Sequence, residues 1–293
     1  RKKKKNSSSI IIYAHKNKRS NLLIYDSINK ILLKNDILAP KLLSQNYSKK
    51  YIEVDDFGKS TLFGFLKKKS TNKSTTFKKI IKLLIKLQLI RQRNIKNFQN
   101  KYYKIPLYTK KILLEEAKLF SEWYVKKKLS KTKQLIFKKK FINIIKNLIK
   151  KLRLKNNILV HRDFHVSNLM MVKKEIGVID TQDALIGNKA YDLASLIDDV
   201  RFETSNNFKK SLYKYYLDSQ KNLNKEYFKN DFEIISVLRN LKIIGIFTRL
   251  AVRDNKKKYL KLIPYTWDLI RLRSKNNGKF NNLNDLLNSL KID

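Results

Sequence analysis

Apolar positions recur with two different periods along this chain. Up to about Val54 the apolar runs are short. Ile10 to Ala14 and Tyr51 to Val54 are rich in β-branched and aromatic residues and predict strands; a third strand is expected near Lys41 to Leu43, and Leu22 to Asn35 carries a helical spacing. From Thr76 onward the helical period dominates. Ile80, Ile81, Leu84, Ile85, Leu87 and Leu89 form one apolar stripe, and Phe141, Ile144, Ile145, Leu148, Ile149 and Leu152 another, with lysines on the opposite faces. The polar run Ser70 to Thr75 links the two regimes and can cap the first of these helices. Further helices are predicted over 191–200, 208–217, 232–251 and 259–273, with a short amphipathic segment over 283–290. The predicted class is α+β: a small β-rich lobe over 1–57, a larger helical lobe over 58–273 and a tail over 274–293. No internal repeat is visible.

The helical lobe is interrupted once, and the interruption carries the chemistry. The apolar strand Ile158-Leu159-Val160 delivers the polar loop His161-Arg162-Asp163-Phe164-His165-Val166-Ser167-Asn168. Two apolar runs follow, Leu169 to Val172 and Ile176 to Ile179, separated by Lys173-Lys174-Glu175; they predict a hairpin that returns Asp180 beside Asn168. Transfer of a γ-phosphoryl group requires a carboxylate to orient the acceptor hydroxyl and oxygen ligands to hold Mg²⁺ against the phosphates. In the H-R-D-x-x-x-x-N pattern the Asp takes the first role and the Asn shares the second. Asp163 is thus the candidate catalytic base, and Asn168 and Asp180 the candidate metal ligands, with His161 and Asp183 in support. His161 is expected to bond nearby backbone or Asp180. Zinc binding by His161 and His165 is the weaker reading, because a strand feeding a loop does not set residues four apart on one face.

After Asp180 the chain reads Thr181-Gln182-Asp183, then Gly187 and Ala190-Tyr191-Asp192-Leu193-Ala194. That string departs from protein kinases and resembles the aminoglycoside phosphotransferase and choline kinase superfamily. Within it, Gly177 to Ala184 with Tyr191 to Leu196 is similar to the bacterial kinases that phosphorylate N-acetylmuramate and N-acetylglucosamine at the anomeric hydroxyl in cell-wall recycling. Pro106 to Tyr108, Glu116 to Phe120 with Trp123, and Arg239 to Phe247 running to Arg249 and Arg253 also resemble that branch, so the resemblance extends from about Ile10 to about Leu272.

The resemblance implies a bilobal protein-kinase-like fold that uses ATP and Mg²⁺, with the first lobe binding nucleotide. It would make Glu53, Val54, Asp55, Asp56 and Phe57 the interlobe hinge that meets the adenine edge; a tight acidic surface turn is the alternative for the same residues. Arg249 and Arg253, four apart on one helical face, are candidates for binding a substrate carboxylate or phosphate, or are solvated. Tyr108, Trp123 and Phe247 are expected in the core rather than stacked on a sugar. Asp192 is expected to cap its helix or to orient the His161 loop. Kinase-like folds hold the nucleotide phosphates with a glycine-rich loop and a strand lysine. Here there is no G-x-G-x-x-G, the nearest lysines to the Ile10 strand, Lys16 and Lys18, lie beyond it, and the helix after it offers only Asp26 as an acid. Because the chain opens on Arg1, a first strand and phosphate loop are expected ahead of it.

Charge introduces the main rival. The 67 Lys and Arg against 24 Asp and Glu give a formal net charge of +43, a field that attracts nucleic acid and anionic surfaces. A basic nucleic-acid-binding pseudokinase is therefore one alternative, and a kinase of aminoglycosides or other small alcohols a second. Lysine is scattered in short runs while Gly and Pro are scarce, which favours compositional skew and solvated helix faces. The acids gather instead around the loop: Asp163, Glu175, Asp180, Asp183, Asp192, Asp198, Asp199 and Glu203 are expected to supply carboxylate density for a metal-phosphate site. No apolar run reaches the length of a membrane span, and the absence of cysteine fits the reducing cytoplasm where such an enzyme is expected.

Overall fold

The computed structural model describes residues 2–4, 7–15 and 18–290; Lys16, weighed above as a phosphate anchor, lies outside them. The chain folds into two compact units, Arg1–Leu107 with Asn157–Leu196, and Tyr108–Asn156 with Ile197–Asp293.

The first unit is built on an antiparallel sheet of order β1-β2-β4-β3, with β1 Lys2–Lys4, β2 Ser7–Tyr13, β3 Leu42–Asn46 and β4 Tyr51–Asp55. Ile10 sits opposite Val54 and Ile12 opposite Ile52. Alternate residues of β4 are buried, so Ile52 and Val54 pack on Leu22 and Tyr25 of helix α1, Ser20–Lys34. The strand expected to end at Leu43 instead continues to Asn46, because pairing with β4 satisfies the backbone of its polar residues. After the helix Lys73–Leu89, capped by the Asn72 side chain, the chain forms a small hairpin of Asn94–Lys96 with Tyr102–Lys104.

The hairpin predicted after the polar loop is present: Leu169–Val172 pairs with Glu175–Val178, with Leu169 opposite Val178 and Val172 opposite Glu175. It is stitched to the rest of the unit on both edges. The Met171 N–H donates to Ser60 O at 2.8 Å, and the Val178 N–H to Leu38 O at 2.8 Å. The strand Asn156–Val160 that feeds the loop pairs with Leu185–Asn188, whose four residues are all buried.

The second unit is helical. Lys110–Leu119 runs into a π-helical turn, Phe120–Val125, and Gly245 of the long helix Lys225–Arg253 packs on that junction. A β-carbon at Gly245 would stand 2.3 Å from the Leu119 carbonyl carbon, so only glycine permits the approach. The predicted helix bounds shift for local reasons. The helix expected from Phe232 begins at Lys225, where the Asn224 side chain accepts the Tyr227 N–H. The helix expected over 259–273 divides into a 3-10 turn, Lys257–Leu262, and a helix, Ile263–Ser274, with Pro264 in its first turn. The helix expected over 191–200 ends at Ile197. Among the described residues no helix is long and apolar enough to cross a membrane.

Candidate active site

The polar loop is held by one buried carboxylate. Asp192 accepts the backbone N–H of His161 at 2.7 Å and that of Arg162 at 3.0 Å, fixing the residues that precede Asp163. Burial pushes this carboxyl up to about 6, against the opposing pull of His161 and the two N–H bonds. His161 is buried, and its Nε2 meets Ile179 O at 2.9 Å, so of the two partners expected for it the structure selects backbone. Arg162 stands at φ 75° and Asp180 at φ 63°, left-handed conformations that place strain on both sides of the loop.

Asn168 and Asp180 meet as the hairpin predicts. The Ile179 N–H donates to Asn168 O at 3.1 Å, and Asn168 Nδ2 lies 3.4 Å from Asp180 Oδ2 and 3.1 Å from Asp163 O. Asp163 and Asn168 are half-buried and Asp180 is exposed. Gln182 Nε2 donates to Asp180 Oδ1 at 2.8 Å. Behind them, α1 braces the loop: Asn29 Oδ1 accepts from Thr181 Oγ1 at 2.6 Å while its Nδ2 donates to Pro40 O at 2.9 Å, both fully inside the protein. The phenol of Tyr25 is pushed up to about 12, chiefly by burial, with the charge of Asp180 adding to it.

These groups border a cavity of about 550 Å³. Its apolar walls include Ile10, Ile12, Val54, Phe57, Met170 and Ile179, and Asn168 and Asp180 stand on its polar side. Of the predicted hinge residues, Val54, Asp55, Asp56 and Phe57 line this cavity, whereas the Glu53 carboxylate accepts hydroxyl hydrogen bonds from Ser9 at 2.6 Å and Ser44 at 2.9 Å. Such a cavity, mainly apolar and edged by polar groups, suits a heterocyclic base carrying a charged chain. The Asn168 and Asp180 oxygens are the hard donors that Mg²⁺ takes, one or two side chains at a time, with phosphates and water completing its shell. A half-turn of the Asn168 carboxamide presents its oxygen in place of its nitrogen.

The expected carboxylate density needs correction. Among the described residues no three His, Cys, Asp or Glu side chains gather where they could hold a metal ion. Asp192 is committed to backbone N–H groups, Asp183 is exposed with its backbone O accepting from Arg162, and Asp198 and Asp199 belong to the second unit. There Asp198 takes a two-pronged bond from Arg273 at 2.8 and 2.9 Å and a hydroxyl bond from Ser236 at 2.6 Å. Neighbours in sequence, these acids point to different tasks, because the helix end at Ile197 redirects the chain.

Arg249 and Arg253 lie in the second unit at the end of the long helix; Arg253 is exposed and bound through Nε and Nη2 to Asp254. Tyr108 and Phe247 are buried, Tyr108 bonding Glu116 and Phe247 stacking on Tyr259. Two features had no part in the sequence reading. The Asn29 to Thr181 bond joins residues far apart in the chain and leaves no local pattern. The packing of Phe57 on Gly177 did leave a trace, since a glycine inside a strand marks a close approach.

A kinase-like α+β fold that brings Asn168 against Asp180 on the loop after Asp163 has the arrangement expected of a phosphotransferase. The model of the phosphotransferase enzyme family, APH, matches residues 68–226, and the chain belongs to that family. It is similar to the N-acetylmuramate/N-acetylglucosamine kinase of Neisseria meningitidis serogroup B, 31% identical over 246 residues covering 80% of this chain and 70% of that protein. The protein of the same name in Pseudomonas putida is 28% identical over 244 residues, covering 81% of this chain and 69% of its own. The fold is shared with the solved gentamicin complex of APH(2")-IIa, at a TM-score of 0.63 and 16% identity over 89% of this chain and 87% of that one. It is also shared with a Plasmodium vivax ethanolamine kinase, at 0.62 and 13% over 92% and 78%. The protein is a small-molecule phosphotransferase.

Proposed function

We propose that this enzyme transfers the γ-phosphoryl group of ATP to the anomeric hydroxyl of N-acetylmuramate or N-acetylglucosamine. The observation that carries the reaction is the meeting of Asn168 and Asp180 at the edge of the 550 Å³ cavity, one loop away from Asp163. The similarity to kinases named for these two sugars supports the acceptor.

In this reading the base lies between the apolar walls of Ile10, Ile12, Val54, Met170 and Ile179, and the phosphates extend toward Asp180. Asp163 accepts the proton of the sugar hydroxyl as its oxygen bonds the γ-phosphorus; the bond to the β–γ bridging oxygen breaks and ADP leaves. Asn168 and Asp180 would hold Mg²⁺, which when bound neutralises charge on the phosphate oxygens. Asp192 keeps the loop in register through the His161 and Arg162 N–H groups, and His161 ties it to Ile179, so Asp163 and Asp180 are set from a single buried support.

The test is phosphate transfer from ATP and Mg²⁺ to N-acetylmuramate, N-acetylglucosamine, glucosamine and kanamycin. Turnover of the N-acetylated sugars is expected, with loss of their reaction with a reducing-sugar reagent, because a 1-phosphate cannot ring-open to the aldehyde. Turnover of kanamycin alone would contradict the acceptor and leave the phosphotransferase standing.

A further inference from the structure

Among the described residues no strand lysine lines the cavity, and another cation stands on its wall. A nucleoside triphosphate carries about four negative charges at neutral pH, and kinase-like folds meet them with a strand lysine in addition to metal. Here β2 turns Ile10 and Ile12 into the cavity and contains no lysine. The helix acid that would accompany such a lysine is also engaged elsewhere: Asp26 is buried, its carboxyl is raised by that burial, and it pairs with Lys30 at 2.8 Å beside a separate cavity.

The cations that do line the nucleotide-sized cavity, among the described residues, are Lys18 and, when protonated, His15. They lie on the short connection between β2 and α1, where Ala14, Asn21, Leu22 and Tyr25 continue the same wall. Lys18 is exposed, and its ammonium has no hydrogen-bond or ion-pair partner among the described residues. Among the described residues the acids on this cavity are Asp55, Asp56 and Asp180, so Lys18 is the lining charge whose sign favours a polyphosphate.

We infer that Lys18 is the phosphate anchor of this enzyme, taking from the β2–α1 connection the role that a strand lysine fills in other kinase-like folds. The inference rests on the nucleotide occupying this cavity, as proposed above. A flexible four-carbon stem and a compact ammonium suit the task, because the anchor need only supply a point charge and three donors to phosphate oxygens.

The experiment is calorimetric titration of the full chain, wild type and Lys18→Met, with ATP in the presence of Mg²⁺ and separately with adenosine. Lys18→Met is expected to weaken ATP by about ten- to a hundredfold, the scale of one lost charge-assisted hydrogen bond. Adenosine binding is expected to stay within about twofold, and Lys18→Arg to recover most of the ATP affinity. Equal ATP binding by wild type and Lys18→Met overturns the anchor while leaving the nucleotide site intact; equal loss of adenosine overturns it too, by showing a general disturbance of the cavity. A wild type that binds neither ligand overturns the nucleotide reading and the anchor together.

Discussion

The ring of Phe57 lies on the backbone of Gly177, so close that a β-carbon there would stand 2.6 Å from Phe57 Cε2 and 2.8 Å from Cδ2. Phe57 lines the cavity from the segment after β4, and Gly177 belongs to the hairpin that links Asn168 to Asp180. The contact therefore joins the wall of the cavity to the strands that set Asn168 and Asp180, the proposed metal ligands. Gly177→Ala must displace either the ring or the hairpin, an overpacking that costs about 1–3 kcal/mol. A raised KM for ATP and a lower Tm are expected, with Phe57→Leu in the same chain restoring much of both. An unchanged KM in Gly177→Ala would mean that the ring moves without consequence for nucleotide.

Asp192 gives the loop a pH-dependent stability. Its carboxyl, near 3.8 in an unfolded chain, is raised to about 6 in the folded one, mainly by burial. Between those values the folded state holds a proton that the unfolded state has released, so this group's contribution to stability falls as pH rises from about 4 through about 6. The full span corresponds to about 3 kcal/mol. Asp192→Asn removes the titration and also one good acceptor for the two N–H groups. The variant is expected to melt below wild type at every pH, with the gap in Tm widest near pH 4 and narrowing toward pH 6.5. A gap that widens as pH rises would reverse the assignment.

In the second unit, Arg273→Ala strips buried Asp198 of its two-pronged partner and leaves it the Ser236 hydroxyl and the field of the Lys209 ammonium. Removing one member of a buried, hydrogen-bonded pair costs about 3–5 kcal/mol. Chemical denaturation should show that loss. Asp198→Asn with Arg273→Met, which removes both charges, should recover part of it.

Much of the fold was legible where a single local period decides the outcome. The Phe141 to Leu152 stripe became the Lys131–Lys150 helix, and the apolar runs on either side of Lys173 became the hairpin that delivers Asp180 to Asn168. The candidate loop was legible because phosphoryl transfer fixes both residue types and their spacing, and the contact of Asn168 with Asp180 that this spacing predicts is present. What escaped depends on partners distant in sequence. Asp198 and Asp199 looked like part of the metal site until the helix ended at Ile197 and gave Asp198 to Arg273, 75 positions away. The π-helical turn at Phe120 and the bond from Thr181 to Asn29 likewise arise from packing that no local pattern carries.

The most direct test of the central claim is steady-state phosphate transfer to N-acetylmuramate by Asp163→Asn beside wild type, with ATP affinity measured in parallel. Loss of the base is expected to lower kcat by about 10²–10⁴-fold, the usual contribution of a positioned general base, while ATP affinity stays within about twofold. Turnover by Asp163→Asn at the wild-type rate would contradict the assignment of Asp163 and the loop chemistry built on it.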